Sequence, residues 1–389
     1  MKYIIDNVTG NKLSILGLGC MRFKTDKKET ERMILKAVEM GVNFFDTAYI
    51  YPGSEKTLGE ILAKNNLRDK VFVSTKLPFL KCRQYADFDK FFFEQLGRLQ
   101  TSYIDYYFLH NINSFDQWKT YQEMGIENWI QEKKTSSQIK QIGFSFHGTT
   151  KDFIKIIDSY NWEFCMIQYN YSDENYQAGK IGLKAAAKKN IPIFIMEPLL
   201  GGRLATGLPE EAVRIFNKYD NTRKPAEWAF RWLWNQPEIS VVLSGMNTEE
   251  MMIENITSAN RFSPIIQEEH EVYDEVIDEF KRAYKIKCTA CNYCLPCPKG
   301  INIPACFSAY NNSYSQKFIT GMMLYVTSTA ANTANPRGAS TCIECGICVK
   351  KCPQNINIPE DLKTVARRFE SLPLRTGMKI VRRVMNGKL

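Results

Sequence analysis

The chain has 389 residues, of which 44% are hydrophobic, which suits a core of about 250 residues plus an appended module. The formal charge is +9, but the basic residues are scattered or terminal and no recognition motif appears, so nucleic-acid binding is not expected. No run of about 18 apolar residues occurs, and the first residues lack both an apolar core and a small-residue cleavage site. A transmembrane span and a signal peptide are therefore not expected, and a reduced cytoplasm is the default compartment.

Residues 2–13, with the turn Thr9-Gly10-Asn11, predict a hairpin. Strand-like apolar runs then fall at 15–19, 43–48, 71–76, 104–110, 141–147, 164–170, 191–198 and 239–245. Helical patterns alternate with them at 28–40, 54–64, 85–99, 118–134, 151–159, 179–189, 225–234 (after a shorter piece) and 248–259. Eight strands alternating with helices predict an α/β fold with a parallel sheet closed into a (β/α)₈ TIM barrel, with the hairpin across its floor. Ser263-Pro264 interrupts the pattern, and 265–284 reads as one acidic amphipathic helix. From Lys287 the composition turns to Cys, Pro and Asn. The expected division is a barrel at 1–262, a helical linker at 263–286 and a small, mostly helical module at 287–389.

Four polar residues sit where barrel strands end or just beyond. Asp46 closes N-F-F-D, and Tyr51 follows in the loop; Lys76 closes V-F-V-S-T-K, and His110 closes Y-Y-F-L-H. Strand packing does not call for a charge there, and barrel strand ends converge on one mouth. The set suits proton transfer. An ordinary tyrosine is a weak acid, with a pKa of about 10. A nearby Lys⁺ lowers that value, Asp46 can hold the lysine, and His110 can orient a substrate oxygen. For any one of these residues alone, a structural ion pair or a core histidine is the plainer reading. Four in order at strand ends favour a site.

The patterns F-D-T-A-x-x-Y-x-x-S-E, S-T-K and F-L-H resemble the aldo-keto reductases over roughly residues 12–260. That resemblance implies nicotinamide-dependent carbonyl chemistry with Asp46, Tyr51, Lys76 and His110 as the tetrad and Tyr51 as general acid. It places Gly19, Cys20 and Met21 in the cofactor pocket, Ser145 after strand 5, and Gln168 on the nicotinamide amide. It also places Leu199, Gly201, Gly202 and Arg203 on the pyrophosphate, with a tight turn that binds no ligand as the alternative for these glycines, Gly245 at the last strand end, and Glu254 and Asn255 on the adenine. Three positions depart from the family. Ser145-Phe146-His147 replaces Ser-Asn, Met196 stands where an aromatic stacks on nicotinamide, and Met251 stands where an Arg clamps the 2′-phosphate. NAD and NADP both stay open. His147 is a candidate to reach the substrate or replace the missing amide contact, with a structural hydrogen bond as the alternative. Cys165 reads as core. Cys82, between Lys81 and Arg83, reads as a surface thiol, or alternatively as one with a lowered pKa.

Nine of the 12 cysteines follow residue 287. Cys288-x₂-Cys291-x₂-Cys294-x₂-Cys297-Pro298 comes first, and Cys342-x₂-Cys345-x₂-Cys348-x₃-Cys352-Pro353 comes second. The second fits the bacterial ferredoxin run, whose fourth Cys ligates the other cluster. By that logic Cys288, Cys291, Cys294 and Cys352 hold one 4Fe–4S cluster, and Cys342, Cys345, Cys348 and Cys297 hold the other. The first run has x₂ where x₃ is usual, and Cys306 is a spare or substitute ligand. Paired C-x₂-C units also build Cys₄ zinc sites, but the x₂ steps with trailing Cys-Pro favour iron–sulfur. Two oxidised clusters at about −2 each would cut the net charge to roughly +5. The segment resembles the ferredoxin-like tail of some bacterial aldo-keto reductase homologues. The tail beyond Lys363 is basic (Arg367, Arg368, Arg375, Lys379, Arg382, Arg383, Lys388), with Met378, Val381 and Met385 on one helical face. Packing on the cluster module is its plainest role, and docking to an acidic redox partner or a membrane surface is the alternative.

The expected function is an oxidoreductase that couples hydride transfer between NAD(P)H and a small carbonyl substrate to electron transfer through the clusters. An electron-transfer protein partner is implied. Nicotinamide moves two electrons and a cluster moves one, so FMN or FAD in the barrel pocket is an alternative. A carbonyl reductase with structural or sensory clusters is another, and a non-enzymatic scaffold is a third.

Overall fold

The computed structural model describes residues 1–23, 26–331 and 337–371. The chain forms two compact units: Met1–Leu199 with Ala226–Ile265, and Leu200–Pro225 with Ile266–Leu389. Residues 200–225, expected within the barrel, thus group with the second unit.

In the first unit, β1 (Tyr3–Ile5) and β2 (Lys12–Ser14) form an antiparallel hairpin. Then come β3 (Leu16–Gly19), β4 (Phe44–Asp46), β5 (Phe72–Leu77), β6 (Ile104–Leu109) and β7 (Ile139–Phe146). The last three are β8 (Phe164–Gln168), β9 (Ile193–Met196) and β10 (Ile239–Ser244). Strands β3 to β10 make a closed parallel barrel, with β10 pairing back onto β3. Its interior is aromatic: Phe44, Tyr106, Phe108, Phe164 and Phe194 pack with Val241 and Leu243. Phe108 meets Phe164 edge-on at 4.6 Å, and Phe44 meets Phe194 at 5.0 Å. Leu13 of the hairpin joins this core, and the Tyr106 hydroxyl donates to Asp6 Oδ2 at 2.6 Å. The hairpin thereby plugs one end, and the filled interior confines chemistry to the strand ends at the other.

The helix expected at 118–134 is two helices, Phe115–Glu123 and Ile126–Thr135. Gly125 between them has φ +85°, a left-handed conformation that ends the first helix and starts the second. Cys82 corrects the expectation of a surface thiol. It is 2% exposed, and burial pushes its thiol up to about 12 rather than down. Cys165 is fully buried in β8, as expected of a core residue.

In the second unit, helix Glu210–Tyr219 packs along helix Gln267–Ala283. Phe216 lies edge-on to Tyr273 at 6.2 Å, and Arg223 pairs with both Asp220 and Glu269. Helices Ile303–Ser315, Phe318–Val326 and Ile358–Phe369 carry the cysteine module. Its core joins Ile286, Ile301, Ile303, Phe307, Tyr325, Leu362, Val365 and Phe369 with the thiols of Cys288, Cys294 and Cys306. Asn311 fixes the lead-in to the first cysteine: its Oδ1 accepts from Ile286 N–H at 2.9 Å, and its Nδ2 donates to Ile286 O at 2.7 Å. Arg368 lies 3.9 Å over the Tyr314 ring, packed on the module. The tail residues Arg375, Met378, Lys379, Val381, Arg382, Arg383, Met385 and Lys388 lie outside the described residues. Among the described residues no helix is long and apolar enough to cross a membrane.

Candidate active site and cluster cysteines

Asp46 is the last residue of β4, in register with Ser74 of the adjacent β5, and Lys76 lies two residues beyond Ser74 on the same face of that strand. Lys76 Nζ donates to Asp46 Oδ1 and Oδ2, each at 2.6 Å, and to Thr47 O at 2.7 Å. Those three acceptors match the three ammonium protons. Ser74 Oγ also donates to Asp46 Oδ1, at 2.6 Å. Lys76 is 2% exposed; burial pulls its pKa down, and Asp46 pulls the other way.

Tyr51 is delivered by a tight turn. Ser54 N–H donates to Tyr51 O at 3.1 Å, and Gly53 at φ +72° sits just before helix Ser54–Lys64. Pro at the first central position and a left-handed Gly at the second make a type II turn. The half-buried Tyr51 ring stands 5.3 Å from Lys76 Nζ and 6.2 Å from the His110 ring, at 89° to it. His110 follows β6, and burial together with the Lys76 charge holds its pKa well below the ordinary range, so it is neutral near pH 7. The four residues are thus brought together at the strand ends.

His147 follows β7 beside them. Its backbone N–H donates to Asn113 Oδ1 at 3.1 Å, and Nδ1 lies 3.2 Å from Gln177 Oε1. Burial lowers its pKa to about 4. Gly148 is required next to it, because a Cβ there would fall 1.8 Å from Asn113 O. Cys20 is buried near the Asp46–Lys76 pair, and burial with the Asp46 charge pushes its thiol well up, so it is a neutral lining group.

The other cofactor candidates divide between the units. Gly19 ends β3; Met21 follows it, half-buried, and Gly245 is exposed after β10. Ser145 Oγ accepts from Asn111 N–H at 2.9 Å, which ties down the loop after β6 and leaves its hydroxyl proton to donate. Gln168 ends β8 directly opposite Met196 of β9. Glu254 and Asn255 lie within helix Glu249–Arg261, where Asn255 Nδ2 donates to Ser244 Oγ at 3.3 Å. Leu199 closes the first unit's segment. Gly201, Gly202 and Arg203 lie in the second unit, where Gly201 (φ +66°) packs so closely that a Cβ would meet Thr289 O at 2.3 Å.

One network lies outside the candidate site residues. Glu55, 2% exposed, accepts from Thr75 Oγ1 and Gln95 Nε2, each at 2.6 Å, and from Arg98 at 3.1 Å. Gln95 Nε2 also donates to Lys76 O at 3.1 Å, so this buried lattice braces the strand that carries the lysine. The terminal S-E of the motif was its one visible signal.

In the cysteine module the thiols ring two voids. Cys297, Cys342, Cys345 and Cys348 line one, together with Cys294. Cys288, Cys291, Cys294 and Cys352 line the other. The charges that act on each thiol follow the same division. Burial first, then Cys288, Cys291 and Cys352, push Cys294 up to about 12. Burial first, then Cys342, Cys345 and Cys297, raise Cys348. Buried thiols crowded in this way need positive metal charge to ionise together, and a ring of soft sulfur ligands fits an iron–sulfur cubane. Cys306 is fully buried in helix Ile303–Ser315.

A closed (β/α)₈ barrel with an Asp–Tyr–Lys–His set at its strand ends, joined to a cysteine-rich module, defines an oxidoreductase of barrel-plus-ferredoxin build. Comparison with known proteins agrees. A model of the aldo/keto reductase family matches residues 15–278, and one of the 4Fe-4S dicluster domain matches residues 287–357. The chain belongs to the aldo/keto reductase family. It is 25% identical over 285 residues to the uncharacterized oxidoreductase YqkF of Bacillus subtilis, covering 64% of this chain and 88% of that one. It is 34% identical over 104 residues to aldo-keto reductase MT3049 of Mycobacterium tuberculosis, covering 25% of this chain and 34% of that protein. The solved structure of aldo-keto reductase AKR11C1 from Bacillus halodurans shares the fold, with a TM-score of 0.60 and 22% identity. That match covers 71% of this chain and 96% of the other.

Proposed function

We propose that the barrel reduces a small carbonyl compound, or oxidises the corresponding alcohol, with Tyr51 as general acid–base, and that the module holds two 4Fe–4S clusters, divided as the two rings of thiols divide. When bound, nicotinamide supplies the hydride and the clusters supply one-electron steps. Tyr51 gives its phenol proton to the substrate oxygen as the carbon is reduced, so a carbonyl plus hydride plus proton becomes an alcohol. The Lys76 ammonium lowers the cost of the tyrosinate left behind. Asp46 keeps that ammonium charged and aimed despite its burial. Neutral His110 carries one ring N–H and donates it to the same oxygen, which fixes the substrate's approach. The thiols must stay reduced to serve as ligands, which suits the cytoplasm.

The observation that carries this reading is Lys76 Nζ at 2.6 Å from both Asp46 oxygens and 5.3 Å from the Tyr51 ring centre. Tyr51→Phe tests it. NAD(P)H-dependent reduction of a panel of aldehydes is expected to fall about 10²- to 10⁴-fold with NAD(P)H binding retained. An unchanged rate would overturn the assignment. A second reading, in which FMN or FAD occupies the pocket, is favoured by half-buried Met196, where an aromatic would stack, and by Met251, 42% exposed, where an Arg would clamp phosphate. If nicotinamide is the cofactor, Met251 favours NAD over NADP.

A further inference from the structure

The eight candidate cluster ligands are not equally placed. Cys288 and Cys294 are buried, five others are half-buried, and Cys345 alone among them is exposed. The ring of thiols it belongs to, with Cys297, Cys342 and Cys348, is therefore the one with a sulfur-bearing residue at the surface. Around Cys345 the chain turns large apolar side chains outward: Ile343 is 57% exposed, Ile347 44% and Val349 36%. Exposed lysines rim them, with Lys350 and Lys351 in the helical turn Val349–Lys351 and Lys299 on the wall of the same void. The two nearby glutamates are matched by two cations, since Lys363 meets Glu344 at 2.9 Å and Glu360 at 3.5 Å, and Arg367 lies 3.8 Å from Glu360. Among the described residues, Lys299, Lys350 and Lys351 have no such carboxylate.

An apolar centre inside a basic rim is the anatomy of a small transient protein interface. We propose that this face docks an acidic one-electron carrier protein of the ferredoxin or flavodoxin type. The carrier would exchange electrons with the cluster held by Cys297, Cys342, Cys345 and Cys348. The inference rests on the cluster assignment proposed above. In each transfer the reduced carrier loses one electron and the oxidised cluster gains one; no bond breaks and no proton moves. The lysines steer the approach, and the isoleucines and valine give the dry contact that brings the two centres together.

The test uses full-length protein purified anaerobically. Bleaching of the visible cluster absorption is followed after mixing with a photoreduced, acidic 2[4Fe–4S] ferredoxin, and separately with dithionite. The wild-type rate with ferredoxin is expected to fall steeply as salt rises. In the double variant Lys350→Glu, Lys351→Glu it should fall at least about tenfold, with iron content and bleaching by dithionite unchanged. Ile347→Ser, which leaves the charge intact, should slow the reaction without altering its salt dependence. Equal rates in wild type and double variant overturn the proposal. So does a wild-type rate indifferent to salt, a measurement that needs no variant to fold. So does a wild-type dimer that masks this face. Wild-type protein without iron, or without bleaching by dithionite, overturns the cluster reading itself and this inference with it.

Discussion

The barrel site and the cysteine module hold buried polar atoms in opposite ways. At the barrel's strand ends, the protein's own groups satisfy the buried charges. Lys76 has two Asp46 oxygens and Thr47 O, and Glu55 has Thr75, Gln95 and Arg98. Such a lattice is preorganised before any ligand arrives. In the module, Cys288 and Cys294 are themselves core residues, packed with Ile286, Ile301 and Phe307. A cluster held by these thiols would complete that core. A catalytic barrel binds its partners on a finished scaffold, whereas a cluster module folds together with what it binds.

The sharpest way to break this contrast is to remove clusters. Cys294 lines both voids, so Cys294→Ser should cost at least about half the iron and leave the module's helices open to hydrogen exchange. The barrel strands should keep their protection. Equal loss of protection in both units would refute the distinction.

A smaller effect belongs to His147. Burial holds its folded pKa at about 4, against 6.5 ordinarily, so between those values the unfolded chain binds the extra proton. Stability therefore rises with pH across that window and is lost as pH falls through it. His110 shifts in the same direction. Denaturant melts of His147→Gln should show a shallower acid loss, by at most about 3 kcal/mol. An unchanged acid limb would place His147 in contact with solvent.

Smaller still is Glu55→Gln. It removes the charge facing Arg98 but keeps an acceptor for Thr75, and Arg98 is 36% exposed, so solvent screens much of the pair. A loss of about 1 kcal/mol in a melt is expected, with a fall in kcat far below that of Tyr51→Phe. If kcat falls as far as in Tyr51→Phe, Glu55 belongs to the chemistry rather than to its support.

The same contrast governs what was legible in the sequence. Strand ends were readable because an apolar run closing in Asp46, Lys76 or His110 has few explanations, and the cysteine spacing carried the module. The helix break at Gly125 was not, because the apolar period runs on through it and only the left-handed φ ends the helix. Cys82 misled because Lys81 and Arg83 flank it in sequence, while its thiol turns inward toward Pro78 O. That residues 200–225 join the second unit was also hidden. Phe216 finds Tyr273 across more than 50 residues of chain, and no local period records such a pairing. The lattice behind Lys76 joins Glu55, Thr75, Gln95 and Arg98 from three elements, and only tertiary structure assembles it.

The central claim is that a nicotinamide-using barrel and a two-cluster module share one chain. Identifying the small molecules released from anaerobically purified protein, beside its iron content and visible spectrum, tests that claim most directly. The protein is expected to yield about eight irons per chain, a broad iron–sulfur absorption, and saturable binding of NAD(P)H without flavin. Stoichiometric FMN or FAD in the released fraction would contradict the nicotinamide assignment and make the barrel a converter between two-electron and one-electron chemistry.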